Sequence, residues 1–203
     1  MKKYYFLVMI PVVVMVLSSA GCGTTKVTRM GTEKVIDISG RWNDTDARMI
    51  AEEVIADCLA ASWVSDFNKA QGKDPVVIVG TILNRTHEHI NTDVFVEDLE
   101  RALINSHKVR FVSSKGERDE VREEREDQQL GNTNPATVTA KGMETGASFM
   151  LKGTINDVKD ETKGKYVVLY QVNLELVDMK TNEKVWLGQK KIKKLVERPQ
   201  ASL

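Results

Sequence analysis

The sequence contains little cysteine and no excess of charge of either sign. Only Cys22 and Cys58 occur in the 203 residues, so at most one disulfide could form. The 29 lysines and arginines balance the 29 aspartates and glutamates. A balanced chain gives no indication of nucleic acid or another acidic polymer as a partner.

Catalytic and cofactor motifs are also missing. Neither G-x-S-x-G nor a glycine-rich phosphate loop occurs. Acidic residues are concentrated in 117–127 rather than at strand ends, where paired carboxylates perform acid/base chemistry. His87 and His89 lie two residues apart, but a metal site needs three or four ligands and no other Cys/His cluster supplies them. We therefore predict no enzyme, no catalytic residue, no cofactor and no metal site.

No apolar run in the sequence is long enough to span a membrane. The uncharged stretch from Tyr4 to Leu17 falls short of the about 20 residues that a transmembrane helix needs. Lys2 and Lys3 precede this stretch and small residues follow it. This order is typical of a secretory signal peptide, which we place at residues 1–21.

Cys22 directly follows the small residues 18–21, and this Gly-Cys ending resembles the bacterial lipobox. In a lipobox the cysteine thiol receives a diacylglycerol before cleavage, although the usual leucine three positions earlier is Ser19 here. We predict lipidation at Cys22, with two or three palmitate-type chains that hold the protein on a membrane. The alternative is an ordinary cleaved signal that leaves Cys22 as a free thiol. Gly23, standing where an aspartate would retain the protein at the inner membrane, favours the outer membrane, with the protein facing the periplasm.

Removal of the signal peptide leaves about 180 residues, enough for one core of ordinary size. Residues 22–40 are polar and aperiodic, which predicts a lipidated tether. Its fully extended length is at most ~60 Å, and its span as a flexible coil is ~25 Å. Residues 41–198 then form the folded domain, in which Cys58 is predicted to be a buried, inert thiol.

The hydrophobic pattern predicts an α+β fold with a mixed, largely antiparallel sheet flanked by helices. One long amphipathic helix is expected over 43–69, a second after Thr92, a solvated and loosely packed one over 115–129, and a fourth from Asn134 to Gly146. Val76–Leu83 is apolar on both faces, which favours a strand covered on each side. Further strands are predicted at 109–112, 149–158, 166–176 and 185–192.

Several of these segments together resemble the LpoB family of outer-membrane lipoproteins. The similarity covers about residues 45–196 and is carried by Asn84-Arg85-Thr86, by Gly146-Ala147 before a Leu-Lys-Gly-Thr strand, and by a Thr-Asn-Glu-Lys-Val-Trp hairpin ending in Ile192-Lys193-Lys194. The resemblance implies a fold similar to the TolB N-terminal domain. It also implies a non-enzymatic regulator that docks on and activates a class A penicillin-binding protein in peptidoglycan synthesis.

A docking surface should be exposed, polar and rigidly mounted, and four residues fit this description: Arg85, His87, Gln189 and Lys191. Two other functions stay open. A secretion-pore subunit like CsgG would need spare amphipathic hairpins, and a structural cell-wall-binding lipoprotein would need aromatics outside the core. The sequence leaves the oligomeric state open.

Overall fold

The computed structural model describes residues 26–32 and 34–197. The predicted signal peptide, residues 1–21, and the predicted lipidation site, Cys22, lie outside these residues. The chain divides into two units, 1–34 and 35–203, and every helix and strand described below belongs to the second. In the described residues no helix is both long and apolar enough to cross a membrane.

The predicted long helix over 43–69 is wrong, because the chain forms two helices there. Helix α1 covers Asp44–Ala60 and begins at a capping box between Asn43 and Asp46. Ala61 has extended backbone, and helix α2 follows at Trp63–Gln71. The indole N–H of Trp63 donates to the Cys58 carbonyl over 2.7 Å, which satisfies the end of α1 and turns the ring into the core.

The predicted mixed, largely antiparallel sheet is confirmed. It has five strands in the order β2-β1-β3-β4-β5. Strand β1 is parallel to β2 and β3, whereas β3, β4 and β5 form an antiparallel meander. The strands are β1 Val76–Arg85, β2 Arg110–Phe111, β3 Phe149–Thr162, β4 Lys165–Asp178 and β5 Lys184–Glu197. Val76–Val79 are all buried, so the predicted covering of both faces of this strand is confirmed there.

Helices α1 and α3 cover one face of the sheet. Helix α3 covers Thr92–Asn105, and the Asn91 side chain caps it by accepting a hydrogen bond from the Asp93 N–H. The core between these helices and the sheet contains the inward residues of β3 and β4. Buried and half-buried residues alternate from Val168 to Leu176 in β4, whereas in β3 the buried residues are Phe149, Leu151 and Ile155. Cys58 is buried within this core, as predicted, and burial raises the pKa of its thiol to about 12.

Residues 112–148 connect β2 to β3 and are called the connecting lobe below. Its helix α4, Lys115–Asp127, has no buried residue, which confirms the prediction of a solvated helix. The predicted helix over 134–146 is wrong: these residues form turns and irregular backbone. The Asn134 side chain accepts a hydrogen bond from the Ala136 N–H, a local contact that competes with helix formation.

Ion pairs to one carboxylate hold α4 against the end of the connecting lobe. Glu144 accepts hydrogen bonds from Arg122 and Arg125 over 2.8–3.0 Å. The hydrogen bonds from Arg122, and then those from Arg125, hold the pKa of Glu144 at about 2. Because its usual unfolded value is about 4.3, these contacts persist above that pH and are lost as the pH falls towards 2.

Replacing Glu144 with glutamine should therefore loosen the connecting lobe without unfolding the domain. We expect faster amide hydrogen exchange in 115–147 and little change in the exchange of β3 and β4, because local opening is independent of the core. Hydrogen-exchange mass spectrometry measures both regions. The matched control is Glu123→Gln on the same helix, since no ion pair or side-chain hydrogen bond engages the Glu123 carboxylate among the described residues. Equal exchange in both variants would contradict this role of Glu144.

Candidate functional site

The sheet surface opposite α1 is polar and is built on regular structure. We call it the open sheet face: the outward side chains of β3, β4 and β5 together with those at the end of β1. They alternate with the core residues and are half-buried or exposed. Three of its apolar members, Val158, Leu187 and Leu195, are 66%, 68% and 63% exposed. Side chains this exposed on a rigid sheet are available to a partner.

Three of the four predicted docking residues lie together on the open sheet face. Arg85 is aligned with Asn156, Gln171 and Lys191 in one row across four strands. Gln189 lies in the neighbouring row. Because strands are about 4.8 Å apart, Arg85 and Lys191 stand about 14 Å apart on the same surface.

Amide side chains form an ordered centre between these residues. Asn173 accepts hydrogen bonds from Gln171 over 3.0 Å and from Gln189 over 2.9 Å. On the neighbouring strand β3, the Asn156 side chain donates a hydrogen bond to the Thr154 hydroxyl over 3.0 Å. These contacts hold Gln189 in one orientation, so the centre is polar, uncharged and preorganised.

Basic groups outnumber acidic ones around this amide centre. Glu175 is bonded by Lys184 over 2.5 Å and by Lys152 over 3.2 Å, and these contacts lower its pKa. Among the described residues, no ion pair or side-chain hydrogen bond engages Arg85, Lys191 or Lys193. The unpaired positive charges can therefore attract an acidic partner surface.

The loop after β1 explains why Asn84, Arg85 and Thr86 occur together. The Asn84 side chain accepts from the Thr86 N–H and hydroxyl and donates to the Glu88 carbonyl over 2.8 Å. The Thr86 hydroxyl also accepts from the Glu88 N–H. Asn84 and Thr86 thus stabilise the loop, and Arg85 is left as an exposed side chain on a fixed backbone.

His87 is not brought to the open sheet face. Its ring Nδ1 lies 2.7 Å from Asp157, whose side chain is only 3% exposed. Asp157 is paired with Tyr170, a core residue, so this contact is on the helix side of the sheet. Neither His87 nor His89 belongs to a group of metal-binding side chains within residues 26–32 and 34–197.

Residues 37–43, called the strap below, are bonded to the folded domain, and 37–40 of them belong to the segment predicted to be a tether. The compact unit that contains the strap begins at Val35. Lys194 donates to Asp37 over 2.7 Å and to the Arg41 carbonyl, and the Tyr166 hydroxyl donates to the Ser39 carbonyl. Gly40, with φ of 71°, fits here because a Cβ would lie 2.1 Å from Val196.

Sequence reasoning missed the residues that fix the end of the strap. Glu88 accepts from the Tyr170 hydroxyl over 2.7 Å and from the Trp42 N–H over 3.2 Å. Burial and this contact with Glu88 raise the pKa of Tyr170. Lys194 reaches Asp46 over 2.6 Å. These partners are 46 to 148 residues apart in the chain, so no local pattern could reveal them.

Three solved structures of bacterial proteins illustrate what the chain is similar to. The LpoB C-terminal domain from Salmonella enterica is 20% identical, with a TM-score of 0.37, over 72% of this chain and 98% of that one. The LpoB C-terminal domain from Escherichia coli is 18% identical, with a TM-score of 0.39, over 70% and 97%. Lipoprotein GNA1162 from Neisseria meningitidis is 15% identical, with a TM-score of 0.41, over 63% and 88%. No curated protein sequence matches the chain.

The family comparison covers most of the folded unit. Residues 46–192, from α1 through most of β5, match the family model described as the peptidoglycan-synthase activator LpoB. The match includes Arg85, the amide centre and both of the outward β5 residues predicted to dock. Since it extends over more than half of the chain, this protein belongs to the LpoB family of peptidoglycan-synthase activators.

Proposed function

We propose that this protein is a non-enzymatic lipoprotein that docks on a class A penicillin-binding protein and raises its activity. The observation that carries the proposal is the family match over residues 46–192. The open sheet face supports it, because Arg85 and Lys191 have no ion pair with another described residue and lie beside a preorganised amide centre. Arg85, Gln189 and Lys191 make the contacts, and the partner surface is acidic.

The catalytic work in this proposal belongs entirely to the synthase. Activation requires only that docking favour the active conformation of the synthase. The conformational equilibrium of the synthase can shift by no more than the difference in binding free energy between its active and inactive conformations. A rigid sheet suits this role, since it loses little conformational entropy on binding.

The direct test uses the purified full chain and a class A synthase from the same organism. We expect glycan polymerisation to rise when the chain is added, with no product formed by the chain alone. Polymerisation is followed with a labelled lipid-linked substrate, and binding is measured separately by surface plasmon resonance. A chain that neither binds nor stimulates any class A synthase of its host would refute the proposal.

We also propose that Cys22 carries the lipid and that the protein is held at the outer membrane, facing the periplasm. Replacing Cys22 with serine should abolish lipidation, because serine has no thiol to receive the diacylglycerol. Metabolic labelling with an acyl probe measures this, and Cys58→Ser is the matched control, since Cys58 is buried in the core. Equal labelling of wild type and Cys22→Ser would contradict the anchor.

The attached strap shortens the reach of the proposed anchor. With the folded unit beginning at Val35, residues 23–34 span at most ~40 Å extended and ~20 Å as a flexible coil. In this proposal the synthase must therefore extend towards the outer membrane to meet the open sheet face.

A further inference from the structure

A cleft of about 600 Å³ lies between the strap, the 87–91 loop and the adjoining ends of β3 and β4. Its apolar wall contains Trp42, Ile90, Val94 and Val168. The first residues of α1 and α3 complete the lining. Glu88 bonds the loop to the strap and to β4, and Asp157 on β3 bonds to the same loop. The cleft is on the helix side of the sheet, so it is separate from the open sheet face.

Most charged groups around the cleft already have partners. Asp157 accepts from the backbone N–H of His87 and contacts its ring nitrogen. Glu88 accepts from Tyr170 and Trp42. Lys159 forms an ion pair with Glu161 and lies over the Tyr166 ring. These groups shape the cleft but have little remaining capacity for a ligand charge.

Two opposite charges in the cleft are left without such partners. Within residues 34–197, no ion pair or side-chain hydrogen bond engages the guanidinium of Arg41 or the carboxylate of Asp44. Both side chains line the cleft and both residues are exposed. A guanidinium binds a carboxylate through two parallel hydrogen bonds, and a carboxylate binds an ammonium group. His89, also in the lining, adds a further donor for an anion.

We propose that this cleft binds a short free peptide, such as a dipeptide, through its terminal carboxylate and its terminal amine. The ligand carboxylate is bound by Arg41, the ligand amine by Asp44, and a small side chain packs on Ile90 and Val94. Peptide binding in the cleft is independent of docking to a synthase, because Arg85, Gln189 and Lys191 do not line the cleft. Short free peptides released from the cell wall and from proteins both carry these two termini and differ in the chirality of their residues.

The three tryptophans provide a direct readout of binding. Trp42 lines the cleft, whereas Trp63 lies at the opposite end of the sheet and Trp186 lies on β5. We expect D-alanyl-D-alanine or L-alanyl-L-alanine at about 10 mM, above a Kd of about 1 mM, to shift the Trp42 indole signal alone. The measurement is a nitrogen-15 correlation spectrum of the full chain in detergent micelles. The isomer that binds more tightly identifies the source of the peptide.

Crossing ligand variants with protein variants tests each contact. Amidating the peptide carboxylate should weaken binding at least about tenfold in the wild type and have no effect in Arg41→Gln. Acetylating the peptide amine should also weaken binding to the wild type at least about tenfold, and it should have no effect on binding to Asp44→Asn. Arg85→Gln, outside the cleft, is the matched control and should bind as the wild type does. An unmoved Trp42 signal with both dipeptides, or losses that are the same in all variants, would overturn the proposal.

Discussion

Replacing Lys194 with methionine should lower the free energy of unfolding by ~3–5 kcal/mol, since this substitution leaves a buried carboxylate without its partner. The Lys194 side chain is 9% exposed and its ammonium group lies 2.6 Å from Asp46, whose side chain is 7% exposed. Methionine keeps the length of the side chain and removes the charge. The remaining Asp46 would have to stay ionised without a cation, or fold as the neutral acid.

The pKa values of this pair explain why its loss costs so much. Burial raises the pKa of Asp46, even though Lys194 lowers it by hydrogen bonding and charge. Burial alone would lower the pKa of Lys194, but its bonds to Asp37 and Asp46 raise it above the usual value. The carboxylate is therefore poorly solvated and depends on Lys194.

Lys190 on the same strand is the matched control. Its ammonium group lies 2.9 Å from Asp57 and 3.4 Å from Glu53, both well exposed on α1. Exposed pairs contribute about 0–1 kcal/mol, so Lys190→Met should have little effect. Chemical denaturation of the two variants gives the comparison. Adding Asp46→Asn to Lys194→Met should recover part of the loss, and equal stability of the two lysine variants would contradict a buried ion pair.

The predictable part of the fold follows from local pattern. Residues 170–176 alternate between apolar and polar residues, and β4 alternates between buried and half-buried residues from Val168 to Leu176. The predicted single helix over 43–69 is wrong because a contact with a distant strand breaks it. The apolar period continues through Ala61, but the contact of Trp63 with Phe149 on β3, at 5.0 Å between ring centroids, requires the chain to turn there.

The candidate site is also only partly predictable from local sequence pattern. Gln189 and Lys191 share a side of β5 because they are two residues apart, which sequence alone predicts. Their proximity to Arg85 depends on the register of four strands, including the irregularity between Val79 and Ile82 that sets where β1 meets β3. One residue of slip would put Arg85 on the helix side. His87 fits the same description of an exposed polar residue, but its contact with Asp157 lies on the helix side of the sheet.

Reversing the charges of Arg85 and Lys191 together should remove most of the proposed stimulation of the synthase. Both residues lie in one row of the open sheet face and neither has an ion pair with another described residue. Arg85→Glu and Lys191→Glu each replace attraction with repulsion towards an acidic partner. We expect about a tenfold loss of affinity for each variant, and a larger loss for the double variant, mainly through slower association.

Stability separates this effect from misfolding. Exposed substitutions usually change the free energy of unfolding by about ±0.5 kcal/mol, so both variants should melt within a few degrees of the wild type. Lys69→Glu and Lys108→Glu are matched controls: each reverses one exposed charge outside the open sheet face and should leave stimulation intact. Raising the salt concentration should weaken wild-type binding and reduce the difference between wild type and double variant, because exposed charges are screened. If all four variants stimulate equally at low salt, the synthase docks elsewhere, and the basic row containing Arg85 and Lys191 is not the contact.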